Sequence, residues 1–367
     1  MPPNAVTEER AVAERVAYVA RPTVQVDGQE IALVTEMLRA VTVHEAEGGL
    51  SSLSLTLSNW GMAVGGSIGY LFNDDQPLAL GSMLKLYAGE RSAPRALFEG
   101  SVHAIECAAS VGTPPEITFL AEDKLFNARL ARRSAVYQDM APADVVRRVA
   151  SGLGLEADVG DLGGDSATWV QMNESDLAFL RRLLARHDAD LQLNDRVLQV
   201  RRIADRDRGT LRLQMYSQLQ RVRVIADLAE QVTEVGISGF DAASGNAFQA
   251  NSTGAAAGTG SGRSGAALLA QSLGPRREHL APLACRNEAE ARALADAAFD
   301  ARVRRFVRLH GSTEGNAELR VGTVVDITGL GARFDNRYAV VEATHRWYLQ
   351  RGYQTDFVAQ CAYLANP

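Results

Sequence analysis

The chain has 367 residues, enough for two or three domains with sizeable cores. Its 38 basic and 44 acidic residues leave a net charge of -6 with no basic block, so composition offers no electrostatic footprint for nucleic acid. No stretch approaches the ~20 apolar residues that span a bilayer, and the charged start MPPNAVTEERAVAERVAYVA lacks the apolar centre of a secretory signal. Synthesis in the cytoplasm is therefore expected. Cys107, Cys285 and Cys361 are odd in number and far apart, which fits neither a disulfide framework nor a metal site; buried free thiols in a reducing compartment are expected. Only Lys85 and Lys124 are lysines. With abundant alanine, that arginine bias reads as the mark of a GC-rich genome rather than of a binding function.

In chain order, residues 1–21 read as an N-terminal arm, either a short amphipathic helix or a loose segment. Val24, Val26, Ile31 and Leu33 read as strand residues around a turn at Asp27-Gly28. In SSLSLTLSN, Leu53, Leu55 and Leu57 alternate with Ser and Thr, the period of a half-buried strand. Further strands are expected at 41–43, 81–87, 97–104 and 117–121, so residues 22–125 read as a first β-barrel or sandwich. Residues 126–203 read as a small α/β region. In it Pro142 suits a first helical turn, Val145, Val146, Val149 and Leu153 share a face, and Gly152 and Gly154 are placed to end the helix. A second helix follows, with Asn173 as N-cap, Asp176 near the positive helix end, and Leu177, Leu180, Leu183 and Leu184 on one face. It runs out near His187-Asp188, and Leu191 to Val200 alternates like a strand.

Residues 204–365 read as a second β unit. Within it, 242–274 is rich in Gly, Ala, Ser and Thr and is expected to be a flexible insert. A helix is expected at 287–303, capped by Asn287 with Glu290 three residues on. The fold class is thus mainly β with an α+β insertion: two β units flank a small α/β region.

The wording of several segments resembles the phage late control D family, the tail hub proteins of contractile phages, related to the base of the type VI secretion spike (VgrG) and to hubs of extracellular contractile injection systems. Gln171, Glu174, Ser175, Asp176, Phe179, Leu180, Arg182 and Leu183 fit its signature Q-x-x-E-S-D-x-x-F-L-x-R-L. Asp123, Leu125, Arg132, Arg133, Tyr137, Asp139, Met140, Asp144, Gly154 and Leu155 fit a second block, and the outline Gly81, Leu84, Leu86, Gly89, Phe98, Gly100, Val102 a third. Phe240-Asp241 stands where Trp-Asp is usual. Near the end, Gly311, Leu319, Gly322, Val325, Ile327, Gly329, Gly331, Phe334, Tyr338, Val340, His345, Gly352, Thr355 and Phe357 fit the family's last barrel, with Asn336 where Gly is commoner. Asn tolerates a left-handed turn, so that departure is mild.

What the resemblance implies is a structural role. The two barrels would share a fold with the tube protein, and a homotrimer would present six barrels in a ring joining a sixfold inner tube to a threefold spike. Expected partners are a separate spike protein, an inner tube or tube-initiator protein and other baseplate proteins. The chain ends at Pro367, directly after the second expected barrel, where VgrG-type spikes continue into an OB-fold and a β-helix. The particle would be a phage tail or an extracellular contractile device assembled from protein made in the bacterial cytoplasm.

Candidates for chemistry are few, and no cofactor or metal is expected. Gly260 to Gly265 satisfies G-x-G-x-x-G, but NSTGAAAGT precedes it where a dinucleotide site needs an apolar strand, so a flexible linker is expected. His44-Glu45 lacks the second His of a zincin helix. His187, Asp188 and Asp190 lack the glycine of a calcium loop. Glu174 and Asp176 could pose as a general acid/base pair, which makes a tail-tip peptidoglycan hydrolase built on the hub scaffold the alternative; at a helix start they read better as capping and orienting groups. His345 is expected to hydrogen-bond within strands. A glycan- or receptor-binding β protein is a third reading, though Trp60, Trp169 and Trp347 are too scattered for a sugar platform.

Overall fold

A computed structural model of the chain describes residues 21–62, 66–89, 94–241, 244–254, 258–281 and 285–366. The expected N-terminal arm, up to residue 20, lies outside the described residues. The protein is mainly β, 50% strand and 18% helix, with an α/β region between two β units.

The first unit is an antiparallel series of Leu38–Ala46, Ser52–Ser58, Thr113–Glu122, Arg95–Ser110, Met83–Ala88 and Thr23–Val26. Ser52–Ser58 has the alternation its sequence predicts: Leu53, Leu55 and Leu57 are buried and the Ser and Thr positions between them are partly exposed. Each of these leucines contributes about 2–3 kcal/mol by leaving water. They pack with Val41, Val43, Leu84, Leu86 and Phe119. After the short pair Thr23–Val26 and Gln29–Glu30 comes a helix, Ala32–Met37, so Leu33 is helical rather than a strand residue; it packs partly buried against the first core.

The second unit pairs Leu219–Ala226, Val307–Glu314, Gly352–Cys361, Asn336–Tyr348, Val324–Thr328 and Thr210–Gln214 around a separate core that includes Leu309, Val325, Ile327, Tyr338 and Phe357. The two units share one 13-stranded sheet. The splice is Asn336–Tyr348. Its first residues pair with Val324–Thr328, the register shifts at Val341, and residues 342–348 then pair with residues 40–46 of the first unit. Trp347 and Ala317 accordingly belong to the first core.

The α/β region has its own core. Pro142–Gly152 ends where the glycines predict: Leu155 N donates to Ala150 O (3.0 Å) and Gly154 N to Ser151 O (3.1 Å), a Schellman closure. The signature helix is Asp176–Ala185, and its N-cap is Ser175, whose hydroxyl accepts from Ala178 N at 3.3 Å. Asn173 is not the cap; it takes a left-handed backbone (φ 49) inside the strand Ala167–Ser175. Leu191 to Val200 is two strands, Ala189–Asn194 and Val197–Arg202, joined by a turn at Asp195-Arg196.

The long helix Glu288–Val303 is capped by Asn287, which accepts from Glu290 N at 2.9 Å, and it covers the hairpin of Glu234–Asp241 and Asn246–Ser252. The expected flexible insert is therefore corrected in its described part. It holds the strand Asn246–Ser252 and the helix Gly265–Ser272. The glycines at 260, 262 and 265 serve close approach: a Cβ would collide with Cys361 Sγ, Leu364 O and Gln231 Oε1 respectively. Asn336 is also corrected. It makes no left-handed turn but clamps this segment, accepting from Ser261 N (3.0 Å) and donating to Ser261 O (2.9 Å). Among the thiols only Cys361 is buried; Cys285 is half-buried and Cys107 exposed.

Candidate functional site

The feature that both β units build together is one face of the shared sheet. Residues that point inward, such as Val41, Val43 and Leu55, fill the cores. Their neighbours point the other way, and the register lines them up from strand to strand: Ser312 beside Asp356, Asp356 beside Thr344, Thr344 beside His44, and His44 beside Ser52. One row along, Thr42 stands beside Ser54, and in the row after that Thr56 stands beside Thr118. The result is a polar surface of mostly short side chains that crosses the splice without a break. It is knitted by its own hydrogen bonds: His44 Nδ1 with Thr344 Oγ1 (3.1 Å), Thr56 with Thr118 (3.0 Å), Gln354 Nε2 to Ser312 Oγ (2.5 Å), and an Arg346–Asp356 ion pair. Cross-strand pairs of this kind stiffen a sheet by a few tenths of a kcal/mol each, up to about 1.

Behind this face an ion pair ties the units together. Glu45 is in phase with Val41 and Val43, so it points into the core and is only 3% exposed. Arg320, from the loop before Val324–Thr328, reaches it through Nε (2.7 Å) and through Nη2, and also donates to Ala96 O (3.3 Å) and Leu97 O (3.2 Å). Burial alone would raise the Glu45 pKa; the charge and hydrogen bonds of Arg320 overcome it and hold the carboxyl below its usual range. His345 lies beside the pair, 2% exposed, with Nδ1 2.8 Å from Tyr353 Oη and 3.3 Å from Thr355 Oγ1. Burial, and then the Arg320 charge, push its pKa down to about 3, so the ring is neutral.

A second set of arginines clamps the α/β region to the β units. Arg206 bridges Glu47 (2.5 Å) and Asp190 (3.1 Å). Asp190 also accepts from Gly48 N (2.6 Å), and Arg181 donates to Gly48 O (2.7 Å). Arg304 grips both oxygens of Asp188 at 2.6 Å.

The signature residues form one knot. Gln171, fully buried, accepts from Tyr137 Oη (3.1 Å) and donates to Glu174 O (3.0 Å) and Asp176 Oδ1 (2.9 Å). Asp176 also holds Arg133 (2.6 Å). Glu174 pairs with Arg182 (2.6 Å), whose guanidinium lies over Phe179, and Phe179 stacks on Tyr137. Leu180 is wholly buried. Gly322 and Gly331 stand far from this knot at turns with φ near +90, and Tyr338 donates to Phe334 O (2.7 Å) in the second core.

For an acid/base pair the arrangement is unfavourable. The hydrogen bond from Arg182 lowers the Glu174 pKa, whereas a general acid at neutral pH needs it raised. Asp188 and Asp190, weighed above as calcium-loop residues and set aside, are each bound to an arginine. Among the described residues no group of three or more metal-type ligands converges, and no helix is long and apolar enough to cross a membrane. The Glu45–Arg320 pair went unnoticed in the sequence because its members are 275 positions apart. The one available signal was a carboxylate in phase with buried valines.

The fold is that of phage tail proteins. The 43 kDa tail protein of prophage MuSo2 from Shewanella oneidensis matches with a TM-score of 0.67 at 10% identity, over 93% of this chain and 98% of that one. A tail protein from Neisseria meningitidis MC58 matches at 0.64 and 10% identity, over 92% of this chain and 95% of that one. An E. coli protein described as a component of the type VI secretion system, with structural similarity to the T4 bacteriophage tail proteins gp27 and gp5, matches at 0.55 and 14%, over 94% and 79%. Among curated proteins, none matches the sequence. The model of one family matches residues 17–348, nearly the whole chain: the protein belongs to the Alg8 N-terminal domain family.

Proposed function

We propose that the protein is a structural hub subunit at the base of a contractile tail or tail-like injection machine, akin to the late control D hubs its motifs resemble. Three copies form a ring that seats a spike protein on one side and meets the inner tube, or its initiator, on the other, among further baseplate proteins. One observation carries this reading. Two β units are spliced into a single sheet whose outward face is continuous and mostly polar, which suits the wall of a shared channel: it offers passing cargo little apolar grip. The buried Glu45–Arg320 pair and the arginine clamps support the reading by making each subunit a rigid segment of such a wall. The knot around Gln171 and Asp176 serves as the scaffold of the α/β region.

The test is the mass in solution, by light scattering, of the purified chain with and without a candidate spike protein encoded beside it. A trimer in either sample, near three times 39.5 kDa plus any bound spike, is the expected result. A monomer in both, with no spike bound, refutes it.

A further inference from the structure

Two of the strand edges of the shared sheet have no partner strand alongside them among the described residues. One is Leu219–Ala226, which ends the strand order and pairs only with Val307–Glu314, a local Met215–Leu219 bridge aside. The other is the far half of Arg95–Ser110. Residues 95–102 of that strand run beside residues 81–88, but residues 104–110 pair only with Thr113–Glu122. Residues 105–110 themselves are exposed on both faces, although the partner strand keeps Phe119 and Ile117 buried. Bare edges of this kind are pairing sites.

We propose that the two edges belong together: residues 104–110 of one copy add to Leu219–Ala226 of the next, head to tail, and close the ring. The proposal rests on the ring reading above and names its joint. Strand direction agrees. From Leu219–Ala226 to Arg95–Ser110 the sheet order runs through eight strands, each antiparallel to its neighbour, so the pair formed across the joint is antiparallel as well. Side chains agree on both faces. On the core side Ile105 and Cys107 stand beside buried Phe119 and Ile117, while Val222 and Val224 are only half-buried along the opposite edge. Joining the edges covers both sets. On the polar face Glu106 meets Arg221 and Arg223, an opposite-charge match across the new pair. Heterologous contacts of this type produce rings when the rotation closes.

The experiment has two arms on the full chain. In the first, Val222→Cys and Val224→Cys are each treated with a short bis-maleimide, Cys107 being the native partner. A ladder of covalent dimer and trimer is expected, lost on adding Cys107→Ser. In the second, Glu106→Arg should shift the light-scattering mass to monomer, and adding Arg221→Glu with Arg223→Glu should restore the oligomer; recovery by the triple variant excludes misfolding as the cause. A trimer that persists in Glu106→Arg and yields no ladder overturns this joint while leaving the ring reading intact. A wild-type chain that stays monomeric at the highest soluble concentration, with and without spike, overturns both.

Discussion

Replacing Glu45 by Ala strips Arg320 of its counter-ion in a place water barely reaches. The Arg320 side chain is 22% exposed and its carboxylate partner 3%. Removing one member of a buried pair costs about 3–5 kcal/mol, because the remaining charge is left without compensation. Here Arg320 keeps the carbonyls of Ala96 and Leu97, so the cost belongs at the lower end, about 3 kcal/mol. Arg320→Ala should cost a similar amount by leaving Glu45 buried and alone. The joint replacement Glu45→Leu with Arg320→Met removes both charges and fills the space, and should return to within ~1 kcal/mol of the parent, since the desolvation of the pair nearly cancels its attraction. The assay is urea unfolding followed by the fluorescence of Trp347, which is 6% exposed in the first core and sits on the splice strand. The reasoning fails if the two single costs simply add in the joint variant to within about 0.5 kcal/mol, as they do for sites that do not interact.

Four further outcomes are expected. His345 has a folded pKa of about 3 against 6.5 when free, so the native state binds fewer protons than the unfolded one between those values; its contribution is whole above pH 6.5 and is lost as pH falls towards 3, at most ~5 kcal/mol, and urea midpoints across that range should fall less steeply in His345→Gln. Asp123 runs the other way: burial raises it to about 6, so its ionisation weakens the fold as pH rises from about 4 to 6, and Asp123→Asn should gain on the parent across that window or the assignment is wrong. Ser175→Ala should cost about 1 kcal/mol by thermal melting while Asn173→Gly, at a left-handed position, stays within a few tenths; equal losses would contradict the capping geometry. In Gly311→Ala the new methyl meets the Phe357 ring in the second core, and calorimetry should register a loss of about 1–3 kcal/mol.

What could be read from the residues was what is local. Leu53, Leu55 and Leu57 announce their strand by alternation, and Asn287 announces its helix by the spacing to Glu290, because both signals lie within one element. The cap at Ser175 was misplaced by two residues because Asn173 is as good a capping side chain; only the backbone decides, and it turns left-handed at Asn173. The glycine-rich stretch was misread for a different reason. Small residues signal freedom when nothing surrounds them and contact when something does, and Gly260, Gly262 and Gly265 are pressed against Cys361, Leu364 and Gln231 from distant parts of the chain. The polar face was legible as single strands of Ser and Thr but not as one surface, because its unity depends on residues 40–46 pairing with 342–348. Nothing in either segment encodes that partnership alone.

That splice also governs the order of events at the ribosome. The strand Leu38–Ala46 is made long before one of its neighbours, residues 342–348; His44 waits some 300 residues for Thr344. Until then the nascent first unit has an open flank where Trp347 will sit, and pairing over such sequence separation is slow. A ribosome stalled before residue 340 would hold a half-sheet with a bare edge and a missing wedge, a substrate for chaperones rather than a finished module. Completion of the first unit therefore waits on the synthesis of residues 342–348, so that products truncated before them are barred from taking the place of whole ones.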